Sequence, residues 1–409
     1  MSVFSSSSPE RYCLGGLMKD IDKDLSPREY DFDSKDETSY KTLGEQKLSL
    51  DSLYSLNSQK LLFSTSLENN NFFQNTSKDN EIDSLSPFSI HSMLSSFNSQ
   101  KSTIILQNSL KEASKEVIDN IIKEMSGYYS SIIKNKNGNY FCRDLLKACD
   151  KTQRKKILEE LCVTMNEDCC DEFGSHPIQT LIELASSEEE YKLLLSSFND
   201  MNKILKAALN SNGTFVIQKI FVHIPEKHRM ELNLIFVKLL LILSMDMYGV
   251  CTVIKFINYT KNEVIEKLIL NLILKNFVNI AENQYGNYLI QNIMENWWNT
   301  QKGLYLKKIS MEKFHLLAIN HYSSYVCDML LKLSSVEDKK KIMTSLYNCK
   351  NINSIYASIS GKIIMNKLMN ALKKSGNLPN FINKSSLKNV IKNVNNYSKV
   401  DNKEDKKDN

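Results

Sequence analysis

Glycine and proline are scarce, at 12 and 6 of 409 residues. That shortage argues against an all-β fold, whose tight turns need both, and against the glycine-dense loops that cradle nucleotide phosphates. The nine cysteines include no CxxC pair, so neither a zinc ribbon nor a disulfide scaffold is expected. Cys162, Cys169, Cys170 and His176 lie close together but at no zinc-finger spacing. Long apolar runs are missing too. The most apolar stretch, Leu232–Leu243, contains Lys238 and falls short of the roughly 20 residues that cross a bilayer, so it is expected to be a buried helix. No GxSxG, HExxH, Walker or paired-carboxylate motif occurs in a recognisable context, so neither catalysis nor a cofactor is expected.

Neither sign of charge dominates. The 52 basic and 47 acidic residues leave a net charge of +5, too mild to establish nucleic-acid binding without a basic face to concentrate it. With no secretory signal at its start, the chain is expected to keep its thiols reduced in the cytoplasm.

What is present is a change of texture. Residues 1–90 are rich in Ser, Asn and Asp with irregular apolar islands, a composition that buries too little to offset the entropy of ordering, and a disordered tail is expected. From there to about residue 400, apolar residues recur every three or four positions between short polar links, the pattern of successive amphipathic helices. Helices are expected over Gln153–Leu161, Glu189–Phe198 and Glu226–Leu243, the last opened by Pro225. Residues 380–397 are a plausible C-terminal cap, and 401–409 form a charged tail.

Within this region one motif recurs: Asn137-Gly138-Asn139-Tyr140-Phe141-Cys142-Arg143, Phe173-Gly174-Ser175-His176-Pro177-Ile178-Gln179, Asn212-Gly213-Thr214-Phe215-Val216-Ile217-Gln218 and Tyr285-Gly286-Asn287-Tyr288-Leu289-Ile290-Gln291. Weaker copies begin at Tyr248, Tyr322 and Ser360, and another lies near Ser102. The residue after the Gly-like position falls at 103, 139, 175, 214, 250, 287, 324 and 362, giving eight units 36–39 residues long. A period of this size implies an all-α solenoid in which each unit buries its apolar face against its neighbours. In the fifth unit the polar pair is either Val250 with Ile254 or, shifted by one, Cys251 with Lys255; the unshifted register aligns Lys255 with Lys219.

Two polar positions four residues apart share one helix face, with an aromatic beside the first. That arrangement grips the edge of a base while the ring stacks between successive bases. At 9% aromatic content, eight positions should hold about 0.7 rings. The column holds Tyr140, Phe215, Tyr288 and Tyr325, with His176 besides. The competing view is that these rings are ordinary core residues at helical spacing.

Gly286-Asn287-Tyr288-Leu289-Ile290-Gln291 resembles the signature of Pumilio (PUF) repeats, and the similarity runs over roughly residues 95–400. The resemblance implies a right-handed crescent of eight PUF-type repeats that binds single-stranded RNA antiparallel to repeat order. It implies Asn287 and Gln291 as a uracil reader with Tyr288 stacking, and Ser324 with Asp328, beside Tyr325, as the guanine pair, usually Ser with Glu. Ser175 with Gln179 resembles an adenine reader, and Thr214 with Gln218 and Thr103 with Gln107 are looser versions. Guanine then uracil from the 5′ side is consistent with the family's UGU-type core.

Departures stand beside these. Arg143 replaces Gln after Asn139, Val250 and Ile254 cannot hydrogen-bond a base, and Lys362 with Asn366 matches no familiar code. The resemblance further implies a monomer acting on 3′ untranslated regions of messenger RNA, regulating translation or stability with deadenylase or translational-repressor proteins. Two alternatives stay open: a PUF-like protein of low sequence specificity in ribosome assembly, and a HEAT- or armadillo-like scaffold that binds proteins.

Overall fold

The computed structural model describes residues 88–349 and 352–377. The readings of an N-terminal tail, a cap over 380–397 and a tail over 401–409 concern residues that lie, but for 88–90, outside the described ones. Among the described residues there are helices and turns and no strand.

The helices group by repeat. Repeat one has α1 (Ile90–Ser96), α2 (Gln100–Lys111) and α3 (Lys115–Met125); repeat two has α4 (Tyr129–Ile133), α5 (Gly138–Ala148) and α6 (Lys151–Leu161). Repeat three has α7 (Met165–Asp168), α8 (Ser175–Leu184) and α9 (Glu188–Ser196), and repeat four opens with α10 (Met201–Ala208) and α11 (Gly213–His223). The single helix α12 (Met230–Ser244) then closes repeat four and opens repeat five, which continues with α13 (Gly249–Asn258) and α14 (Glu263–Lys275). Repeat six has α15 (Phe277–Glu282) and α16 (Gly286–Trp297), and α17 (Gln301–Leu317) is again shared with the next repeat. Repeat seven adds α18 (Ser323–Leu333) and α19 (Val336–Tyr347), and repeat eight α20 (Ile352–Ala357) and α21 (Ile359–Lys374).

The second helix of each repeat carries the motif, and these helices pack one against the next from α2 to α21; the third helices form a second row behind them. The periodicity explains why. From repeat two to repeat eight the residues two and three positions after the marker, such as Phe141 and Cys142, Val216 and Ile217, or Leu289 and Ile290, are buried, because they face the third helices while the markers face the neighbouring motif helix; in repeat one, at the end of the stack, Ile105 is 67% exposed. At the centre of the stack Phe221, Phe236 and Phe256 meet with ring centroids 4.7–5.5 Å apart.

A close approach fixes the register. A Cβ on Gly249 would lie 2.5 Å from the Leu243 carbonyl oxygen, six residues earlier. Gly138, Gly174, Gly213, Gly286 and Gly361 meet the carbonyl of the residue six before them in the same way. Ser323 takes the glycine's place in repeat seven by donating its hydroxyl to the Leu317 carbonyl at 2.7 Å. Because Gly249 obeys this rule, the unshifted register of repeat five, Val250 with Ile254, is the one the fold adopts.

An acceptor three residues before the glycine completes the turn. Asn135, Asp171, Asn210, Asp246, Asn283 and Asn320 each accept from the backbone N–H at that position and the one before it, at 2.8–3.1 Å. These are caps on the motif helices. Replacing Asn283 by Ala is expected to cost about 1 kcal/mol; a thermal melt should fall by about 2–4 °C, and an unchanged melt would remove this cap from the account.

Three expected boundaries shift, and one expected helix is broken. Helices α6 and α9 begin at Lys151 and Glu188, and α9 ends at Ser196 rather than Phe198. The stretch expected as one helix over Glu226–Leu243 is instead a 3-10 turn over Glu226–His228, a break at Arg229, and then α12. The reason is the buried Arg229 side chain, which donates to the Ile224 carbonyl (3.1 Å), Asn233 Oδ1 (2.7 Å) and the Tyr259 carbonyl (2.5 Å). Arg154 sits equivalently in repeat two, donating to the Cys149 carbonyl at 2.9 Å and pairing with Glu190 of repeat three at 3.2 Å. The buried helix expected at Leu232–Leu243 is the body of α12. No described helix is long and apolar enough to cross a membrane.

Candidate nucleic-acid interface

The motif helices bring the expected site residues into three parallel columns. The first polar column is Thr103, Asn139, Ser175, Thr214, Val250, Asn287, Ser324 and Lys362; the first six are buried, Ser324 is half-buried and Lys362 is exposed. The second is Gln107, Arg143, Gln179, Gln218, Ile254, Gln291, Asp328 and Asn366; Gln218 and Ile254 are buried, Asn366 is exposed and the others are half-buried. Beside them runs the ring column, and here the core-residue view fails. Tyr140, Phe215, Tyr288 and Tyr325 are 39–54% exposed and His176 is exposed too. Ile104 and Ile363 hold the same position at the two ends, also exposed. Flat rings exposed in repeats two, three, four, six and seven, on helices whose flanking positions are buried, mark a surface suited to stacking.

Each repeat presents a different set of hydrogen-bonding groups. In repeat six Asn287 donates both amide hydrogens to the Asn283 and Gln284 carbonyls at 3.0 Å, and its Oδ1 accepts from Gln291 Nε2 at 3.0 Å. An acceptor and a donor thus stand side by side, the complement of a uracil N3–H and its neighbouring carbonyl oxygen. Asn139 makes the same pair of bonds, to the Asn135 and Lys136 carbonyls. Beside it the Arg143 Nε is buried with no acceptor. Burial and the Arg143 guanidinium hold His176 below the usual imidazole range, so it is a neutral ring at pH 7.

Repeats four and five are closed. Thr214 Oγ1 lies 2.8 Å from Thr252 Oγ1 and 3.1 Å from the Tyr248 carbonyl oxygen, and Gln218 Nε2 donates to Thr214 Oγ1 at 3.2 Å. Next to them Val250, Cys251 and Ile254 are buried and offer neither a ring nor a polar group at the surface. Repeat three is open, with Ser175 donating only to the Glu172 carbonyl at 3.4 Å.

In repeat seven the Ser324 hydroxyl donates to the His321 carbonyl at 2.6 Å, which leaves it an acceptor. Asp328 is bridged by Lys367 at 2.7 Å and Lys332 at 3.4 Å. Burial pushes its carboxyl up, but the two ammonium groups outweigh that and hold it below the usual carboxylate range. His321, not anticipated from the motif, packs edge-on against Tyr325 with centroids 5.6 Å apart; its signal in the sequence is its place three residues before the marker Ser324. The last motif helix, α21, carries Lys362, Lys367, Lys373 and Lys374 and no acidic residue, a local basic face that the net charge conceals.

The residues outside these columns have other surroundings. His223 ends α11, and the His228 ring lies against Tyr191 with centroids 5.1 Å apart and planes tilted by 41°. Trp297 and Trp298 receive Lys302 and Lys307 over their rings at 4.7 and 5.9 Å, and those lysines bridge to Glu266 and Asp338 of the adjoining repeats. Among the described residues no three His, Cys, Asp or Glu side chains are grouped as metal ligands would be.

Comparison with known proteins agrees with this architecture. The chain is 24% identical over 273 residues to Pumilio homolog 12 of Arabidopsis thaliana, covering 66% of this chain and 45% of that protein. It is 22% identical over 270 residues to a Pumilio domain-containing protein of Schizosaccharomyces pombe, covering 65% and 39%. The chain therefore spans less than half the length of these relatives. Among solved structures it is similar to the Puf4 RNA binding domain bound to an HO endonuclease 3′ UTR recognition sequence, with TM-score 0.63, 17% identity, and coverage of 77% of this chain and 93% of that one. Yeast Puf5p bound to AAT2 RNA gives TM-score 0.62 at 18% identity, covering 78% and 93%. The family model for the NOP9-like PUF repeat domain matches residues 48–363. With that match over most of its length and the motif helices stacked in one register, the chain belongs to the family of NOP9-like PUF repeat domains.

Proposed function

We propose that this chain binds single-stranded RNA along the row of motif helices, stacking bases between the exposed rings and reading base edges with the flanking polar pairs. The observation that carries this reading is the ring column, exposed in repeat after repeat and flanked each time by the two reading positions. The similar Puf4 and Puf5p structures hold RNA, which favours the same class of ligand here. Run antiparallel to the repeats, the RNA meets the guanine pair of repeat seven and then the uracil pair of repeat six. That order supports a UGU-type element; on this reading such elements lie in 3′ untranslated regions, and binding controls messenger RNA translation or decay in the cytoplasm through recruited deadenylase or repressor proteins.

The test is a change of base preference. Replacing Asn287 by Ser and Gln291 by Glu is expected to move the base selected opposite repeat six from uracil toward guanine. The shift in discrimination should be about 1–3 kcal/mol, the worth of a good two-point base contact. Selection from a random RNA pool by the parent chain and the variant measures it, and an identical consensus from both would overturn the base-reading role of this pair.

A second reading is favoured by the closed repeats four and five. Val250, Cys251 and Ile254 give a base nothing to bond, and Thr214 and Gln218 bond each other and Thr252. An array so interrupted suits RNA binding of low sequence specificity, as in ribosome assembly. A pool selection that returns no consensus, with affinity collapsing as salt rises, would favour it.

A further inference from the structure

The second reading position of repeat seven is served by two repeats at once. Asp328 Oδ1 is 2.7 Å from Lys367 Nζ, and Lys367 is the residue immediately after Asn366, the second reading position of repeat eight. The same cross-joint contact occurs at the start of the stack. Gln107 Nε2 donates to Asp144 Oδ2 at 2.6 Å, and Asp144 immediately follows Arg143, the second reading position of repeat two. At both joints, the residue one past the reading position of the next repeat therefore decides which atoms the reading residue has left to offer. Gln107, with its amide nitrogen engaged by Asp144, keeps its amide oxygen as an acceptor. Asp328 has its Oδ1 held by Lys367 at 2.7 Å and its Oδ2 3.4 Å from Lys332 of its own helix, the longer and looser of the two pairings, so the cross-joint ammonium group stands at its side.

We infer that Asp328 and Lys367 form a composite guanine reader, in which Lys367 is a specificity-determining residue supplied by the following repeat; the inference rests on the RNA-binding function proposed above. The edge of guanine presents, in order, the O6 acceptor and the N1–H and N2–H donors. A carboxylate answers the two donors and leaves O6 unmet. A lysine hydrogen-bonded to that carboxylate supplies a donor at the adjoining position. Lys367 also reaches further into solvent than its partner, its side chain 50% exposed against 22%, which suits an Asp that is one methylene shorter than a Glu. Adenine presents an amino group where guanine has O6, so the ammonium group repels the wrong base as well as holding the right one.

The experiment titrates the full chain with a 12-nucleotide RNA bearing guanine, inosine, 2-aminopurine or adenine at the base opposite Ser324. Inosine lacks the N2 amino group; 2-aminopurine keeps it but lacks O6 and N1–H. The parent chain is expected to rank guanine first, inosine next, and 2-aminopurine and adenine last. Lys367→Met should weaken guanine binding about tenfold, a typical worth for one good base contact, while leaving 2-aminopurine binding unchanged. Lys367→Arg, which keeps a donor, should retain most of the guanine preference. A Lys367→Met variant that keeps the full guanine to 2-aminopurine ratio overturns the inference while base reading by Asp328 stands. A parent chain that binds all four RNAs equally removes base reading at repeat seven altogether, and one that binds none removes the RNA-binding function. Thermal melts of the variants matching the parent separate these results from misfolding, as the half-exposed Lys367 head group leads one to expect.

Discussion

Replacing Tyr288 and Tyr325 together by Ala is expected to abolish tight RNA binding while leaving the fold as stable as before. Each stacked base is worth about 1–3 kcal/mol, so a single replacement should weaken Kd by roughly 5- to 150-fold. The two rings stand on successive motif helices and would clasp the same base from opposite sides, so their losses should not add fully. A combined loss on the order of a hundredfold or more is the expected reading. Stability should move far less than affinity, by about 0.5 kcal/mol, because both rings stand at the surface, 39% and 48% exposed, and neither belongs to the buried core. Tyr305→Ala, removing an equally exposed ring from the outer helix α17, is the control and should leave affinity unaltered. If the double variant melts early, the rings are packing residues after all; if it binds RNA as the parent does, the motif-helix row is not the RNA surface.

The largest effect on stability is expected at Glu190. Its carboxylate is nearly inaccessible and holds the Arg154 guanidinium at 3.2 Å, with side chains 2% and 10% exposed. It also accepts from the backbone N–H groups of Ser186 and Ser187 and from the Ser187 hydroxyl at 3.0–3.1 Å. Glu190→Ala leaves Arg154 buried without its partner and removes the cap of α9, so a loss of about 3–5 kcal/mol is expected. Denaturant unfolding measures it, and a loss under about 1 kcal/mol would mean that water reaches Arg154 freely. A dependence on pH follows. Burial raises the Glu190 carboxyl, but the serine hydrogen bonds and Arg154 outweigh it and hold it below its ordinary value. A carboxyl depressed on folding contributes its full stabilisation above its unfolded pKa of about 4.3 and loses it as the pH falls further. The gap between the parent and Glu190→Gln should therefore narrow in acid, below about pH 4.

Much of this architecture is legible in the residues because it repeats. Gly138, Gly174, Gly213, Gly249 and Gly286 recur every 36–39 residues since each approaches the carbonyl six residues before it, and Tyr140, Phe215, Tyr288 and Tyr325 recur beside four of the repeat markers. The Asn or Asp three places before each glycine was equally visible as a pattern, but its role as a cap is a matter of backbone geometry. What spacing does not reveal is contact across joints. Lys367 reaches Asp328 over 39 residues, and Thr214 is occupied by Thr252 over 38. Polar residues at a reading position look alike in a sequence whether they face a groove or each other. Arg229 was opaque for a similar reason: a helical pattern runs through it, yet its three buried acceptors lie on both sides of the helix it interrupts.

The shared helices α12 and α17 also bear on how the molecule comes apart. In an array whose units touch only their neighbours, opening can stop at any joint where the backbone passes through a flexible link. Between repeats four and five, and again between six and seven, the link is replaced by continuous helix, and half a helix cannot melt without fraying the other half. Amide exchange should then report repeats four and five as one cooperative unit and six and seven as another, with the weak seams falling elsewhere. The long helices make paired repeats, rather than single ones, the quantum of local unfolding.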